Sequence, residues 1–384
     1  MERSTRSRMF VPAAVCMVVF AIVCALAAVA SAIFASTNVT NAAQPEATPP
    51  EQTPKDALLV LSKQGQTLAI VDPSNLHVIA KVPVGNDPHE VIASSDGKLA
   101  FVSNYGGGRY NTLAVIDLVA QKALPSIDLG PLRGPHGLTF VGGKAWFTAE
   151  AAKAIGRVDP ATMKVDWILG TGQDRTHMVW VSADEKLIVT SNVSSATISI
   201  IEQVERRNPG PPPGAGAGGP PPGAPPRPPM GPAMAEWHET VVPVGKGSEG
   251  FDVSPDGKEI WVANAGDGTI SIVDAAQKKV IETLQANVGG ANRLKFTLDG
   301  KRVLVASLGD TGLVVIDAAT RKEVKRIDVG RGAAGTVMEP GGKRAFVACS
   351  PNDYVAVIDL ATLEVVGKID VGKEPDGEAW ATRP

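Results

Sequence analysis

The chain has 384 residues, with 37 basic and 40 acidic side chains and a formal net charge of -3. That balance argues against nucleic-acid binding, which usually needs a basic domain. Of its three cysteines, Cys16 and Cys24 fall in the apolar N-terminus. Cys349 is thus alone in the folded part, which excludes an intramolecular disulfide there and the paired cysteines of covalent haem attachment.

Arg3, Arg6 and Arg8 precede an uncharged apolar run over residues 9–35. A basic start followed by an apolar stretch is an export signal, and this stretch is also long enough to span a bilayer. Residues 1–35 are therefore expected to be a signal peptide, with Ala30-Ser31-Ala32 as a small-x-small cleavage site, or an N-terminal transmembrane anchor. In both cases the rest of the chain is expected in the periplasm or at the cell surface, secreted or tethered. Residues 36–56, rich in Pro, Thr, Asn and Gln, read as a flexible linker.

From residue 57 onward the chain repeats. A strand ending in two apolar residues and an acid recurs at Asp72, Asp117, Asp159, Glu202, Asp274, Asp317 and Asp359, at intervals of 42–45 residues with one of 72. That period is the blade length of propeller repeats. The clearest copy has strand a at 250–254, a Pro255-Asp256-Gly257 turn and strand b at 259–263. A second glycine turn at 266–268 follows, then strand c at 269–274 and strand d at 279–284. These segments are rich in Val, Ile, Thr and aromatics and are apolar on both faces, which suits a small sheet sandwiched between neighbours.

Seven such units predict an all-β, seven-bladed β-propeller over 57–384, with four antiparallel strands per blade. The last unit stops at strand a (376–382) and the first begins at strand b (57–62). The C-terminal strand a should therefore join the N-terminal strands b–d and close the ring, removing an open sheet edge. The long interval holds residues 208–235, with 12 of the 30 prolines. That segment cannot bury a core and is expected to be disordered, looping between strands c and d of blade 3 as a spacer, a proline-rich ligand or a tolerated expansion.

Several conspicuous polar residues have turn chemistry as their explanation. Asp159, Asp317 and Asp359 are each followed three residues later by threonine, a pattern in which side-chain oxygens bond nearby backbone amides. Asn104, Asn192 and Asn264 end b strands and are read the same way. Cys349 lies in a predicted strand as a small buried hydrophobe.

The copies Lys98-Leu-Ala-Phe-Val-Ser-Asn104, Glu259-Ile-Trp-Val-Ala-Asn264 and Tyr354-Val-Ala-Val-Ile-Asp359, with Val-Gly after strand d, resemble the YVTN-repeat family. The resemblance implies a seven-bladed propeller of the kind found on surface-layer and exported prokaryotic proteins. Similar propellers serve as adhesion or interaction modules. Related ones carry copper or haem d1, open lactone rings, or support quinone-linked dehydrogenases. Fold alone does not choose among these.

Propeller sites usually sit at the central mouth, where loops d–a and b–c share one face and strand a lines the channel. Aligned on the Asp-Gly-Lys turn, the residues that open strand a around the ring are His89, His136, His177, Glu249, Asn292, Ala334 and Asp376. Ring closure makes Asp376 a neighbour of His89. Imidazoles and carboxylates converging on an axis are metal-ligand types suited to zinc, copper or iron. His89, His136, His177, Glu249 and Asp376 are thus the candidate metal ligands. The competing reading has these histidines packing beside turns or contacting substrate. His77 and His238 are expected to begin outer strands, at the surface. Arg109, Arg133, Arg175, Arg293 and Arg331 lie on or near the same face and suggest an anionic ligand, or else a mixed solvated rim.

The sequence assigns no catalytic residue and no cofactor beyond that possible metal. The function it favours is an exported propeller that binds an unknown protein or an anionic small molecule at its mouth and does no chemistry. The alternative is a metal-dependent lyase, hydrolase or oxidoreductase with a His-rich mouth.

Overall fold

The repeat resolves into seven four-stranded antiparallel sheets, each built from one unit. The computed structural model describes residues 51–205 and 235–384. The expected leader, linker residues 36–50 and nearly all of the insertion lie outside the described residues. Among those described, no helix is long and apolar enough to cross a membrane.

The strands of blade 1 are Pro88–Ala93, Leu99–Asn104, Thr112–Asp117 and Lys122–Asp128. The inner strands a of blades 2 to 6 are Pro135–Val141, Thr176–Val181, Ser248–Val253, Ala291–Phe296 and Ala333–Met338. Blade 7 combines the C-terminal strand Pro375–Thr382 with Asp56–Ser62, Thr67–Asp72 and His77–Pro83. The expected closure is thus present, with Leu58 opposite Trp380 and Val60 opposite Glu378. Each inner strand packs beside the inner strands of the two neighbouring blades, so the ring is continuous.

The core lies between blades. Strands b and c are buried on both faces, and each inter-blade gap has its own apolar cluster. Trp261 of blade 4, fully buried, packs edge-on against Phe296 of blade 5, with ring centroids 5.6 Å apart. Truncating a buried tryptophan of this kind typically costs about 3–5 kcal/mol, so every interface holds its neighbours in place. Strands d form the outer rim and are largely exposed.

Turn chemistry is as the sequence suggests. The Asp317 carboxylate accepts the Thr320 amide at 2.7 Å, and Asp359 accepts the Thr362 amide at 2.8 Å. The asparagines act differently from expectation: Asn192 and Asn264 are buried and donate across the b–c hairpin to Thr197 and Thr269. Cys349 is a buried free thiol beside the Val329 carbonyl, and burial pushes it up to about 12.

Three boundaries differ from the sequence reading. Strands a begin one residue earlier than aligned, so His89, His136 and His177 are second, not first, in their strands. His238 sits within the outer strand Ala235–Pro243 rather than opening it, because the c–d hairpin of blade 3 is extended to nine residues per strand. Residues 51–56, assigned to the linker by composition, lie against the propeller. The buried Thr53 hydroxyl donates to the Leu118 carbonyl at 2.6 Å, and Asp56 opens the first strand.

Candidate functional site

The mouth is built by one backbone device used seven times. The residue before each strand a has positive φ: Asp87, Gly134, Arg175, Gly247, Gly290, Gly332 and Glu374, between 49° and 70°. Its carbonyl accepts the amide of the residue that follows strand b. These pairs run from Glu374 with Lys63 (3.0 Å) and Asp87 with Tyr105 (3.0 Å) to Gly134 with Glu150 (2.9 Å) and on around the ring. The chain thereby presents three columns of side chains to the channel: the positive-φ residue, the second residue of strand a, and the residue after strand b. The sequence alignment used the second column only.

Four blades place glycine at the positive-φ position, where it carries no Cβ penalty. Asp87, Arg175 and Glu374 are the three exceptions. An L-residue there is strained by about 1–2 kcal/mol, and such strain concentrates at functional positions. Arg175 and Glu374 line the mouth cavity, and Asp87 contacts His89. The Glu374 side chain forms no ion pair among the described residues. Glu374→Gly is therefore expected to stabilise the fold by about 0.5–1 kcal/mol, read as a raised melting temperature.

The cavity, of about 470 Å³, is lined by all five sequence-predicted metal-ligand candidates, and by Arg175, Arg293, Lys63 and Tyr105. Arg109, Arg133 and Arg331 are exposed and are not part of its lining. Both arginines that do line it are already paired. Arg175 lies 3.4 Å from Glu150, and the buried Arg293 bonds Glu90. The rim is therefore charge-compensated rather than a cationic bowl.

Three imidazoles stand side by side on blades 1, 2 and 3. The His136 and His177 ring centroids are 3.8 Å apart, and His89 and His136 are 5.1 Å apart. The close approach has a backbone cause. Gly137 sits where a Cβ would fall 2.4 Å from the His177 carbonyl, so only glycine lets blades 2 and 3 meet this tightly. The two flanking histidines are each held between carboxylates. His177 donates from Nδ1 to Glu150 at 2.5 Å, and its Nε2 lies 2.8 Å from Glu249. His89 lies 3.2 Å from Asp87 and 3.5 Å from Asp376, which also pairs with Lys63 at 3.4 Å.

His136, in the middle, has no carboxylate. Among the described residues its buried Nδ1 has no hydrogen-bond partner, and the His177 Nε2 contact with Glu249, though short, is not a well-directed hydrogen bond. One nitrogen from each of these two histidines and one Glu150 oxygen lie within 4.8 Å of one another. All three residues are buried.

The environments set opposite charge states. Burial, and then the nearby His177, His89 and arginine charges, push His136 well below the usual imidazole range, so it is neutral. Burial works against charge on His177 too, but its bond to Glu150 and its close contact with the Glu249 carboxylate outweigh that and raise it. Burial would raise Glu249, yet His177 and the arginines bring it down to about 2. Glu150 is likewise lowered, by His177, Tyr105 and Arg175 against the effect of burial. Tyr105 donates to Glu150 at 2.5 Å and packs edge-on against His89 and His136, with its phenol pushed up by burial.

A pH dependence follows with a definite sign. Glu249, lowered from an ordinary 4.5, stabilises the fold above that value and loses its contribution as pH falls toward about 2. His177, raised from 6.5, contributes below that value and loses its contribution as pH rises through its higher folded-state pKa. The mouth network is therefore expected to stabilise most between these two limits. Melting curves against pH should show a shallower acid limb for Glu249→Gln than for the unaltered protein.

Sequence reasoning missed Glu150 and Tyr105. The signal was one alignment column away: the residues following strand b are Lys63, Tyr105, Glu150, Val193, Ala265, Leu308 and Ser350, and five of these seven face or support the mouth.

Residues 235–340 match the model of the YNCE-like β-propeller family. The ring and this match fit a seven-bladed propeller of the YVTN type. No curated protein matches the chain. Solved structures similar to this propeller include a functionally unknown protein from Desulfotomaculum acetoxidans, at 14% identity and a TM-score of 0.66, over 85% of this chain and 99% of that one. The hydrazine synthase of Kuenenia stuttgartiensis is similar at 18% identity and a TM-score of 0.62, over 79% of this chain and 92% of that one. Dihydro-heme d1 dehydrogenase NirN, solved in complex with DHE, is similar at 14% and 0.56, over 86% and 66%. At these identities the likeness concerns the fold of the propeller and not its site.

Proposed function

We propose that this YVTN-type propeller is a binding module whose mouth holds a divalent transition-metal ion of the imidazole-seeking class, such as zinc or copper. The observation that supports this reading is the buried, neutral His136 with its unpartnered Nδ1, stacked on His177 beside Glu150. An orphaned buried nitrogen is costly, and a metal ion is a partner that both imidazoles and a carboxylate can share. His136 and His177 would be the nitrogen ligands, and Glu150 or Glu249 the oxygen ligand. The other carboxylate would hold the second nitrogen of His177, as in carboxylate–histidine–metal arrangements. His89 and Asp376 stand beside this set, 3.5 Å apart, and an anionic small molecule from solution would complete the coordination next to Lys63 and Arg175.

Binding is favoured over catalysis because Glu150, Glu249 and Asp376 are each already engaged by a histidine and by an arginine or lysine. A general base would have to be free to take a proton. The basic N-terminus and its apolar run support a periplasmic or cell-surface location for the module.

The test is a competitive titration of metal-free protein with Zn²⁺, Cu²⁺ and Ni²⁺ against a chromophoric chelator. One tight site per chain is expected for at least one ion, weakened about 100-fold or more in His136→Ala. No tight site for any of the three ions would refute the proposal.

A further inference from the structure

The mouth cavity has two unlike halves. The imidazoles and the carboxylates beside them come from blades 1 to 4 and 7, while blades 5 and 6 complete the lining with Asn292, Leu308, Ala334, Ser350 and Pro351. These arrive through the same repeated positions. Asn292 and Ala334 are second in their strands a, and Leu308 and Ser350 follow the b strands Arg302–Ser307 and Arg344–Cys349. The Leu308 amide donates to the Gly290 carbonyl at 3.0 Å, which fixes its backbone at the rim.

This side offers a ligand little polarity. The Ser350 hydroxyl is spent on the Pro375 carbonyl. Arg293 is spent on Glu90 and, at 3.2 Å, on the Asn292 side-chain oxygen. The Asn292 amide nitrogen remains as a donor without a partner among the described residues. Leu308 is 52% exposed, and of the nine large hydrophobics exposed among the described residues it alone lines the cavity. An exposed leucine in a concave site is available to cover an apolar part of a ligand.

Glu374 lies in the loop between blades 6 and 7. It lines the cavity, is exposed, and holds a φ of 51° at a position where four blades use glycine. It has no cation of its own among the described residues, so its strained backbone carries a carboxylate that stabilises nothing in the fold. Such strain concentrates at functional positions, and a fixed like charge is a means of rejecting the wrong ligand.

We propose that the mouth selects small organic monocarboxylates with an apolar body. The proposal rests on the mouth holding a metal ion. The ligand's carboxylate completes the coordination beside Lys63 and Arg175, its apolar body lies against Leu308, Ala334 and Pro351, and Glu374 repels ligands that carry a second negative charge.

The test is calorimetric titration of the full chain, zinc- or copper-loaded and metal-free, with acetate, hexanoate and adipate. Hexanoate adds an apolar tail to acetate, and adipate adds a second carboxylate to hexanoate. Hexanoate is expected to bind about 10-fold tighter than either of the others. Leu308→Ser should bring hexanoate within about 3-fold of acetate while leaving metal affinity and acetate binding unchanged. Glu374→Gln should tighten adipate several-fold more than hexanoate. Removing the metal should weaken all three probes but keep the preference for hexanoate over acetate, because the apolar contact does not involve the ion. That preference in a protein with no tight metal site would support the apolar subsite and refute the metal reading alone. Hexanoate binding no tighter than acetate in either state, or a preference untouched by Leu308→Ser, would overturn the proposal. So would adipate binding as tightly as hexanoate, or an adipate affinity that Glu374→Gln leaves unchanged.

Discussion

Glu150→Ala is expected to cost about 3 kcal/mol of stability and to weaken metal binding at the mouth about 10–100-fold. Glu150 is buried and is the hub of its arc. It accepts from His177 and Tyr105, each at 2.5 Å, and lies 3.4 Å from Arg175. Removing it strands three donors at once. His177 would lose the partner that fixes its Nδ1 proton and its ring orientation. A buried imidazolium without that carboxylate would also revert toward neutrality. Glu150→Gln separates the two consequences, because it keeps the shape and one acceptor oxygen while losing the charge. It should recover part of the stability but little of the metal affinity. Chemical denaturation and metal titration on the same samples read both effects. If Glu150→Ala leaves both quantities unchanged, Glu150 does not organise the mouth.

Arg293→Met carries the second large effect, a loss of about 3–5 kcal/mol. Arg293 belongs to blade 5, yet it bonds Glu90 of blade 1 across the channel. Both side chains are buried, with residue exposures of 7% and 9%. The pair joins blades that are not neighbours in the ring and crosses the channel beside the cavity that Arg293 lines. Removing the arginine leaves the Glu90 carboxylate buried without its cation. The double variant Arg293→Met with Glu90→Leu removes both charges and should regain most of the loss, because desolvating a charge pair offsets much of its attraction. Urea denaturation of the single and double variants checks this. A double variant as unstable as the single one would mean that the pair contributes something beyond mutual neutralisation.

The repeat made the fold legible because its signal is redundant. Seven copies of the same strand and turn pattern leave one closed architecture, and the split of blade 7 between the two termini was already visible in where the copies start and stop. The site was legible only in part. His89, His136, His177, Glu249 and Asp376 do line one cavity, because aligned positions in a propeller converge on the axis. The charge state of that cavity was not legible. Whether an arginine attracts an anion depends on what it touches. Arg175 and Arg293 are neutralised by Glu150 and Glu90, while Arg109, Arg133 and Arg331 sit outside the cavity lining. Glu150 was hidden because it lies in a turn after strand b, where an acid usually serves the local backbone.

The most direct test of the central claim is elemental analysis of the full chain after incubation with zinc and copper salts and exhaustive dialysis. It should be run beside the His136→Ala, His177→Ala double variant. One equivalent of zinc or copper per chain is expected in the unaltered protein and close to none in the double variant. Metal-free unaltered protein, or an equal metal content in the two, would contradict it.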